Sequence, residues 1–219
     1  MKRTEVLDAI VKAIDGAQLK LSSESEDGRI NSALSEKSIV TLIEEKAAEP
    51  EWAGRISVSV PKIREWYDVM IFMTETGESI PINIKITSMG CDNLNCKLGI
   101  FYALSGDDPL GFGLSNETNW NVFFDRLSHS MKDNESDYFF VVIDKSTSKA
   151  FWTSLKGMAS LIPNGNNLPF QANWRENNVR VNRTFDEAKR FILSALGRSI
   201  DKRADIKRQF DDCFPDIKR

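Results

Sequence analysis

The sequence predicts an α/β protein with a central mixed β-sheet flanked by helices. Short apolar or alternating stretches, typical of strands, are interleaved with longer segments whose apolar residues recur at helical spacing. The 219 residues are 41% hydrophobic and 28% charged, which suffices for one sizeable core. No internal repeat or low-complexity linker divides the chain. We therefore expect a single domain over residues 1–219.

In the first half of the chain, two helices precede three strands. The apolar residues of the first helix share one face, and Gly16 is a weak point near its end. Ser35 is a candidate cap for the second helix, which carries Glu44 and Glu45. In order, the predicted elements are a helix over residues 4–20, a helix after Ser35, and strands over residues 55–62, 66–74 and 80–88.

The second half of the chain mixes loops, helices and one further strand pair. Polar, turn-rich composition predicts loops, and apolar alternation predicts the strands. The elements are a loop over residues 89–97, a possible helix over 98–106, a helix over 120–131, strands over 137–145 and 149–155, a loop over 161–178, and a helix over 185–199 ending near Gly197.

Composition excludes several classes of function. No run approaches the roughly 18 apolar residues of a membrane span, so a cytoplasmic protein is expected. The net charge of −3 argues against a protein that coats nucleic acid without specificity. Three cysteines and the single His129 do not provide a zinc site or a two-histidine mechanism. The sequence has no phosphate-binding GxxxxGK[ST] loop, so no nucleotide cofactor is expected.

Two neighbouring predicted strands bring a carboxylate, an amide and an amine close together. Asp68 lies on the first strand, and Asn83 and Lys85 lie on the second. Strand side chains alternate between faces, so Asn83 and Lys85 share one face and Asp68 can lie across the hairpin from them. Such groups are costly to bury among Val, Ile and Phe unless they are paired or bind a ligand.

These residue types suit metal-assisted hydrolysis of a phosphodiester. Asp68 would hold Mg²⁺, with the amide oxygen of Asn83 and the main-chain carbonyl of Ile84 as further oxygen ligands. Lys85 would orient the attacking water or stabilise charge on the phosphate. The alternative is a structural salt bridge between Asp68 and Lys85 in a non-catalytic interaction protein.

The run YDVMIFMTETGESIPINIKITS resembles the active-site strand pair of the PD-(D/E)XK nuclease superfamily, with Asp68 and Asn83-Ile84-Lys85 at the motif positions. Upstream, EDGRINSALSEKSIVTLIEE is similar to a region of type II restriction endonucleases of the EcoRV and HincII kind. There, a glycine-containing loop leads into a helix that bears an acidic residue near the site. Glu45 matches that residue, with Glu44 as a near alternative. The resemblance covers residues 25–106, within an expected catalytic core at about residues 35–155.

The resemblance implies a Mg²⁺-dependent homodimer that cuts double-stranded DNA at a palindromic site. Two positions depart from the motif, because Tyr67 replaces a proline and Asn83 replaces Asp or Glu. An amide oxygen is an uncharged, weaker ligand, so a neighbour such as Glu45 would have to compensate. Some enzymes of this kind carry Asn-X-Lys naturally. The alternative is a DNA-binding protein of the same fold whose cleavage is impaired, or was deliberately inactivated, through Asn83.

Two polar segments are candidates for reading DNA, as loops do in the restriction enzymes that this chain resembles. They cover residues 89–98 and 162–178. Asn and Gln can pair bidentately with adenine, and Arg with guanine. The same amides also cluster in ordinary turns. The candidate DNA contacts are Asn93, Asn95, Lys97, Asn166, Asn167, Gln171, Asn173 and Arg175.

Overall fold

A computed structural model describes residues 1–17, 28–61 and 65–213, with the backbone alone for residues 28–34. Its helices are α1 (Arg3–Gly16), α2 (Gly28–Ala48), α3 (Lys97–Ser105), α4 (Trp120–Ser130) and α5 (Phe185–Cys213). Its strands are β1 (Ile56–Ser59), β2 (Val69–Met73), β3 (Ser79–Thr87), β4 (Cys91–Leu94), β5 (Phe139–Asp144), β6 (Ala150–Ser154), β7 (Ile162–Pro163) and β8 (Phe170–Asn173). Short 3-10 turns cover Pro109–Phe112 and Glu176–Asn178.

Within the described residues, five strands form the central sheet in the order β1-β2-β3-β5-β6. Neighbouring strands run antiparallel except β3 and β5, which are parallel. A parallel pair needs a long crossover connection, and α3 and α4 lie in that connection. The predicted α/β class, with a mixed sheet between helices, is therefore confirmed.

The alternation of side chains along β3 divides the interior into two cores. Ile80, Ile82 and Ile84 lie on one face of the sheet, in the core that includes the apolar residues of α1 and α2. Asn83 and Lys85 lie on the opposite face, because successive strand residues point to opposite sides. That face carries the second core, which includes α3, α4 and α5. The polar pair is therefore on the α3 side of the sheet.

The segments predicted as loops over residues 89–97 and 161–178 contain all three strands of a second, smaller sheet. Its strands are ordered β4-β8-β7 and pair antiparallel. Leu94 and Phe170 are buried beneath it, and Asn93 and Gln171 lie on its other face. The loop predictions were wrong here because each strand has only two to four residues, and β4 pairs with a strand far along the chain, where local patterning carries no signal.

Two helix boundaries also differ from the predictions. Helix α2 begins at Gly28, so Ser35 is a buried residue inside the helix and not its cap. Helix α5 continues through Gly197 to Cys213. The possible helix after Lys97 is confirmed as α3, whereas predicted positions 18–20 and 62 lie outside the described residues. Across the described part of the chain, no helix combines the length and apolarity required to cross a membrane.

Candidate active site

Asp68 stands immediately before β2 and is bound to β3 through both its main chain and its side chain. Its N–H donates to the carbonyl of Ile82 at 2.8 Å. Its Oδ2 accepts from the N–H of Ile84 at 2.7 Å. The carboxylate thus replaces a strand carbonyl as the partner of that amide, which fixes Asp68 against the strand bearing Asn83 and Lys85.

Asn83 contributes a buried oxygen that lacks a partner. Its Oδ1 is fully buried and accepts no hydrogen bond from any described residue. Leaving a buried acceptor unsatisfied costs about 1–3 kcal/mol. The other described side-chain atoms in this condition are three N–H groups and the hydroxyl of Thr153. Asn83 Oδ1 is therefore the one amide or carboxylate oxygen among them, and it has the chemistry of a ligand for a hard cation.

The main chain of Ile84 faces an open edge of β3. Strand β2 pairs with β3 only as far as Ile82. The N–H and C=O of one strand residue leave the strand on the same side. Since the Ile84 amide points to Asp68, the Ile84 carbonyl points to the same edge. A main-chain oxygen therefore lies on the side of β3 that holds the Asp68 carboxylate.

Lys85 lies on the same face as Asn83 and is half-buried. The ion pairs among the described residues do not include it. A direct salt bridge between Asp68 and Lys85, the structural alternative raised by the sequence, is therefore not formed. Asp68 is also half-buried, so neither charged group is sealed away from solvent.

Burial dominates the electrostatics of the site. It raises the pKa of the Asp68 carboxyl above its usual value, while the Ile84 amide and the Lys85 ammonium act to lower it. Burial also raises the pKa of the neighbouring Cys96 thiol to about 12, so Cys96 is neutral at physiological pH. A cation beside Asp68 would favour the ionised carboxylate.

Glu45 is not brought to the site. Ile39 and Ile43 form the buried face of α2 and belong to the core that contains Ile82 and Ile84. Helix α2 therefore packs on the face of the sheet opposite to Asn83. Glu45 is exposed on α2, about 200° around the helix from Ile43 at 3.6 residues per turn. The structure therefore gives no support to Glu45, or to the equally exposed Glu44, as a compensating ligand.

The site as described combines one carboxylate, one unpartnered amide oxygen, one strand carbonyl and one ammonium. No profile of a known protein family matches the chain, and no curated protein sequence matches it.

The two candidate DNA-reading segments meet on one surface. Asn93 and Gln171 are register partners on β4 and β8. The Oδ1 of Asn93 accepts from Gln171 Nε2 at 3.0 Å and from Asn164 Nδ2 at 2.9 Å. These three amides form a network on the exposed side of the small sheet, and we name this group the amide surface.

The remaining candidates in these segments fall around the amide surface. The side chain of Asn173 is partly used within the protein, since its Nδ2 donates to Glu176 and its Oδ1 accepts from the N–H of Arg175. Helix α5 supports the segment, because Arg203 donates to the main-chain carbonyls of Gly165 and Asn166. The exposed candidates are Asn95, Asn166, Asn167 and Arg175.

Lys97 is buried and its side chain binds the main chain of the protein. It is 8% exposed, and its ammonium donates to the main-chain carbonyls of Asn116 and Thr118, both at 2.6 Å. The ammonium also lies 5.3 Å from the ring centroid of Trp120. Burial lowers the pKa of Lys97. With these contacts made, its ammonium is directed into the protein, which argues against Lys97 as a surface contact.

A cleft of about 920 Å³ opens at the other end of the sheet, where β3 and β5 begin and β6 ends. Two of its basic groups contact the protein itself. Arg3 pairs with Glu78, and the guanidinium of Arg180 lies 3.7 Å from the ring centroid of Trp152. The cleft is lined by none of the residues of the Asp68 site.

Sequence patterning missed one residue beside the site. Tyr138 precedes β5 and is fully buried on the Asn83 side of the sheet. Its hydroxyl donates to the carbonyl of Trp66 at 2.6 Å. The alternation of the strand predicts that Tyr138 is on this face, but no local signal predicts that its hydroxyl reaches a segment far back in the chain.

Proposed function

We propose that the protein is a Mg²⁺-dependent, sequence-specific DNA endonuclease of the type II restriction kind, acting in the cytoplasm as a homodimer on palindromic sites. The observation that carries this proposal is the unpartnered, buried Oδ1 of Asn83 on the strand to which Asp68 is bound. A carboxylate at the edge of β3 and an acceptor oxygen on its α3 face are both groups that a hard cation satisfies.

The residues present fit such a cation. Asp68, the Oδ1 of Asn83 and the carbonyl of Ile84 would hold it, and all are oxygen ligands. When bound, Mg²⁺ supplies stabilisation of charge on the phosphoryl oxygens and a more acidic water. Lys85 extends from the same face as Asn83 and is free of ion pairs to the described residues, so its ammonium can donate to a phosphate oxygen or position the attacking water.

The amide surface supports double-stranded DNA as the substrate. Asn and Gln side chains read adenine through paired donor and acceptor contacts, and a short antiparallel β-ribbon fits the major groove. The contacts between Asn93, Gln171 and Asn164 restrict these side chains before DNA binds. A pre-arranged reading surface loses less conformational entropy on binding. This supports a specific nuclease over one that cuts any sequence.

Digestion of a plasmid of known sequence tests the proposal directly. We expect discrete fragments with Mg²⁺, no cutting with EDTA, and no cutting by Asp68→Asn under the same conditions. Mapping the fragment ends would give the site and the cut position. A smear that depends on Asp68 would indicate a nuclease without sequence specificity. Failure to cut any DNA with either Mg²⁺ or Mn²⁺ would contradict nuclease function.

A second candidate is a DNA-binding protein that retains the fold but does not cut. One observation favours it: in the part of the chain that is described, no group of three or more His, Cys, Asp or Glu residues could hold a metal. Asp68 is then the one acidic ligand, with neutral Asn83 beside it. Specific gel shifts without cutting, unchanged by Asn83→Asp, would support this candidate.

A further inference from the structure

The hydroxyl of Tyr138 connects β5 to the segment that leads into Asp68. It donates to the main-chain carbonyl of Trp66 at 2.6 Å, and Trp66 lies two residues before Asp68. The bond is buried, and Tyr138 is only 1% exposed. The segment before β2 is therefore bound to the start of β5 through Tyr138 and to β3 through Asp68.

Packing fixes the tyrosine ring in this position. The ring of Trp66 lies 5.2 Å from that of Tyr102 and 5.8 Å from that of Tyr138, measured between centroids. Helix α3 closes over Tyr138 at Gly99, where a Cβ atom would come within 2.6 Å of the tyrosine ring. A ring so confined can hold its hydroxyl at one place with little loss of entropy.

The hydroxyl also lies within electrostatic reach of the two side chains of the proposed metal site. Burial raises the pKa of Tyr138 well above its usual value, and the Asp68 carboxylate raises it further, whereas the Asn83 side chain lowers it. Tyr138 is therefore a neutral phenol at physiological pH, able to donate a hydrogen bond without adding charge.

We infer that Tyr138 is a positioning residue, whose hydroxyl holds the Trp66–Asp68 segment so that the Asp68 carboxylate and the Asn83 amide oxygen face one cation. This inference rests on the proposed function. Groups that orient metal ligands without touching the metal commonly change its affinity about 10–100-fold when removed. The prediction for the loss of this one hydroxyl is therefore weaker metal binding with the fold retained.

Tyr138→Phe removes the hydroxyl and keeps the ring that Gly99 accommodates. Tyr102→Phe is a matched control, because Tyr102 packs against the same Trp66 but its hydroxyl donates at 3.3 Å to the main-chain carbonyl of Ser79, at the start of β3. The probe is Mn²⁺, whose free form is counted by electron paramagnetic resonance during titration of the full chain. Melting temperatures of both variants are measured alongside.

We expect the Mn²⁺ dissociation constant to rise about 10-fold in Tyr138→Phe and to stay at the wild-type value in Tyr102→Phe. In plasmid cleavage, the Mg²⁺ concentration for half-maximal rate should rise similarly, while the rate at saturating Mg²⁺ changes little. Equal Mn²⁺ affinities for wild type and Tyr138→Phe would overturn the inference, as would equal losses in the two variants. Wild-type protein that neither binds Mn²⁺ nor cuts DNA would remove the proposed function and this inference together.

Discussion

The amide of Ile84 donates to Oδ2 of Asp68 at 2.7 Å, so the acid of the proposed site is held by the main chain of the strand that carries its co-ligands. A hydrogen bond from a backbone amide to an ionised carboxylate is charge-assisted and is stronger than one between neutral groups. The carboxylate is therefore oriented before any ligand arrives, and it needs no lysine partner to stay in place.

Asp68→Asn should abolish cleavage and strengthen the fold. A bound metal ion stabilises the transition state by several kcal/mol, and about 1.4 kcal/mol corresponds to a tenfold change in rate. We therefore expect the cleavage rate to fall by about 10³-fold or more. Mn²⁺ binding should disappear as well. Digestion assays and Mn²⁺ titration measure both effects. Loss of cleavage with unchanged Mn²⁺ binding would place the cation elsewhere.

The stability effect of Asp68→Asn depends on pH in a defined direction. Burial raises the pKa of Asp68 in the folded protein, so the folded state binds this proton more tightly than the unfolded chain does. The stability that this proton contributes is full below the unfolded pKa and is lost as pH rises through the folded pKa. At neutral pH without metal, the melting temperature of Asp68→Asn should therefore exceed that of wild type, and the difference should vanish in acid.

Asn83→Asp should increase the affinity for Mg²⁺ and lower the stability of the metal-free protein. A second carboxylate adds ligand charge, and we expect the half-saturating Mg²⁺ concentration to fall about 10-fold. Without metal, two carboxylates in one half-buried site repel each other, so the melting temperature should fall and then recover on adding Mg²⁺. Differential scanning fluorimetry across a Mg²⁺ series tests this. A melting temperature that Mg²⁺ leaves unchanged would contradict a cation at Asn83.

Lys85→Met should separate catalysis from stability. The ammonium forms no ion pair with the described residues, so its removal should leave the melting temperature and Mn²⁺ affinity near wild type. Removing one donor to a developing charge typically costs 10²–10³-fold in rate, and single-turnover cleavage should slow by about that much. Lys12→Met, at an exposed position of α1, is the control. A marked loss of stability in Lys85→Met would instead favour a structural role.

Gln171→Ala should relax sequence specificity and leave the affinity for metal unchanged. Gln171 pairs in register with Asn93 on the amide surface, and a bidentate base contact is worth about 1–3 kcal/mol of discrimination. The rate of cleavage at sites with a single base-pair change should therefore rise about 10–100-fold relative to the rate at the preferred site. Asn121→Ala removes an exposed amide from α4 and serves as the control. Unaltered discrimination would show that the amide surface does not read bases.

The arrangement of Asp68, Asn83 and Lys85 could be predicted because it is local. The two strands are joined by a tight turn, and strand alternation alone assigns Asn83 and Lys85 to one face. The position of Glu45 was also recoverable from sequence, since Ile39 and Ile43 mark the buried face of α2 and Glu45 lies on the other side. The resemblance to restriction endonucleases implies Glu45 at the site, whereas the helical periodicity of α2 predicts the opposite position.

The pairing of β4 with β8 and the reach of Tyr138 could not be predicted. Each depends on contacts between segments far apart in the chain, which propensity and periodicity do not encode. Lys97 illustrates the same limit. In the sequence it looks like a solvent-facing base in a polar loop, but the fold turns its ammonium onto two carbonyls of a distant segment.

The short turn between β3 and β4 joins the strand that bears Lys85 to the small sheet that carries the amide surface. Strand β3 ends at Thr87 and β4 begins at Cys91. Between them, Met89 has a φ of 63°, a rare conformation for a long side chain, and the carbonyl of Gly90 accepts from the N–H of Trp174 beside β8. If DNA binding displaced the small sheet, residues 88–90 would transmit that displacement to the strand bearing Lys85. In the proposed nuclease, the position of the Lys85 ammonium would then depend on the DNA sequence bound, and cleavage fidelity would depend on this connection as well as on binding affinity.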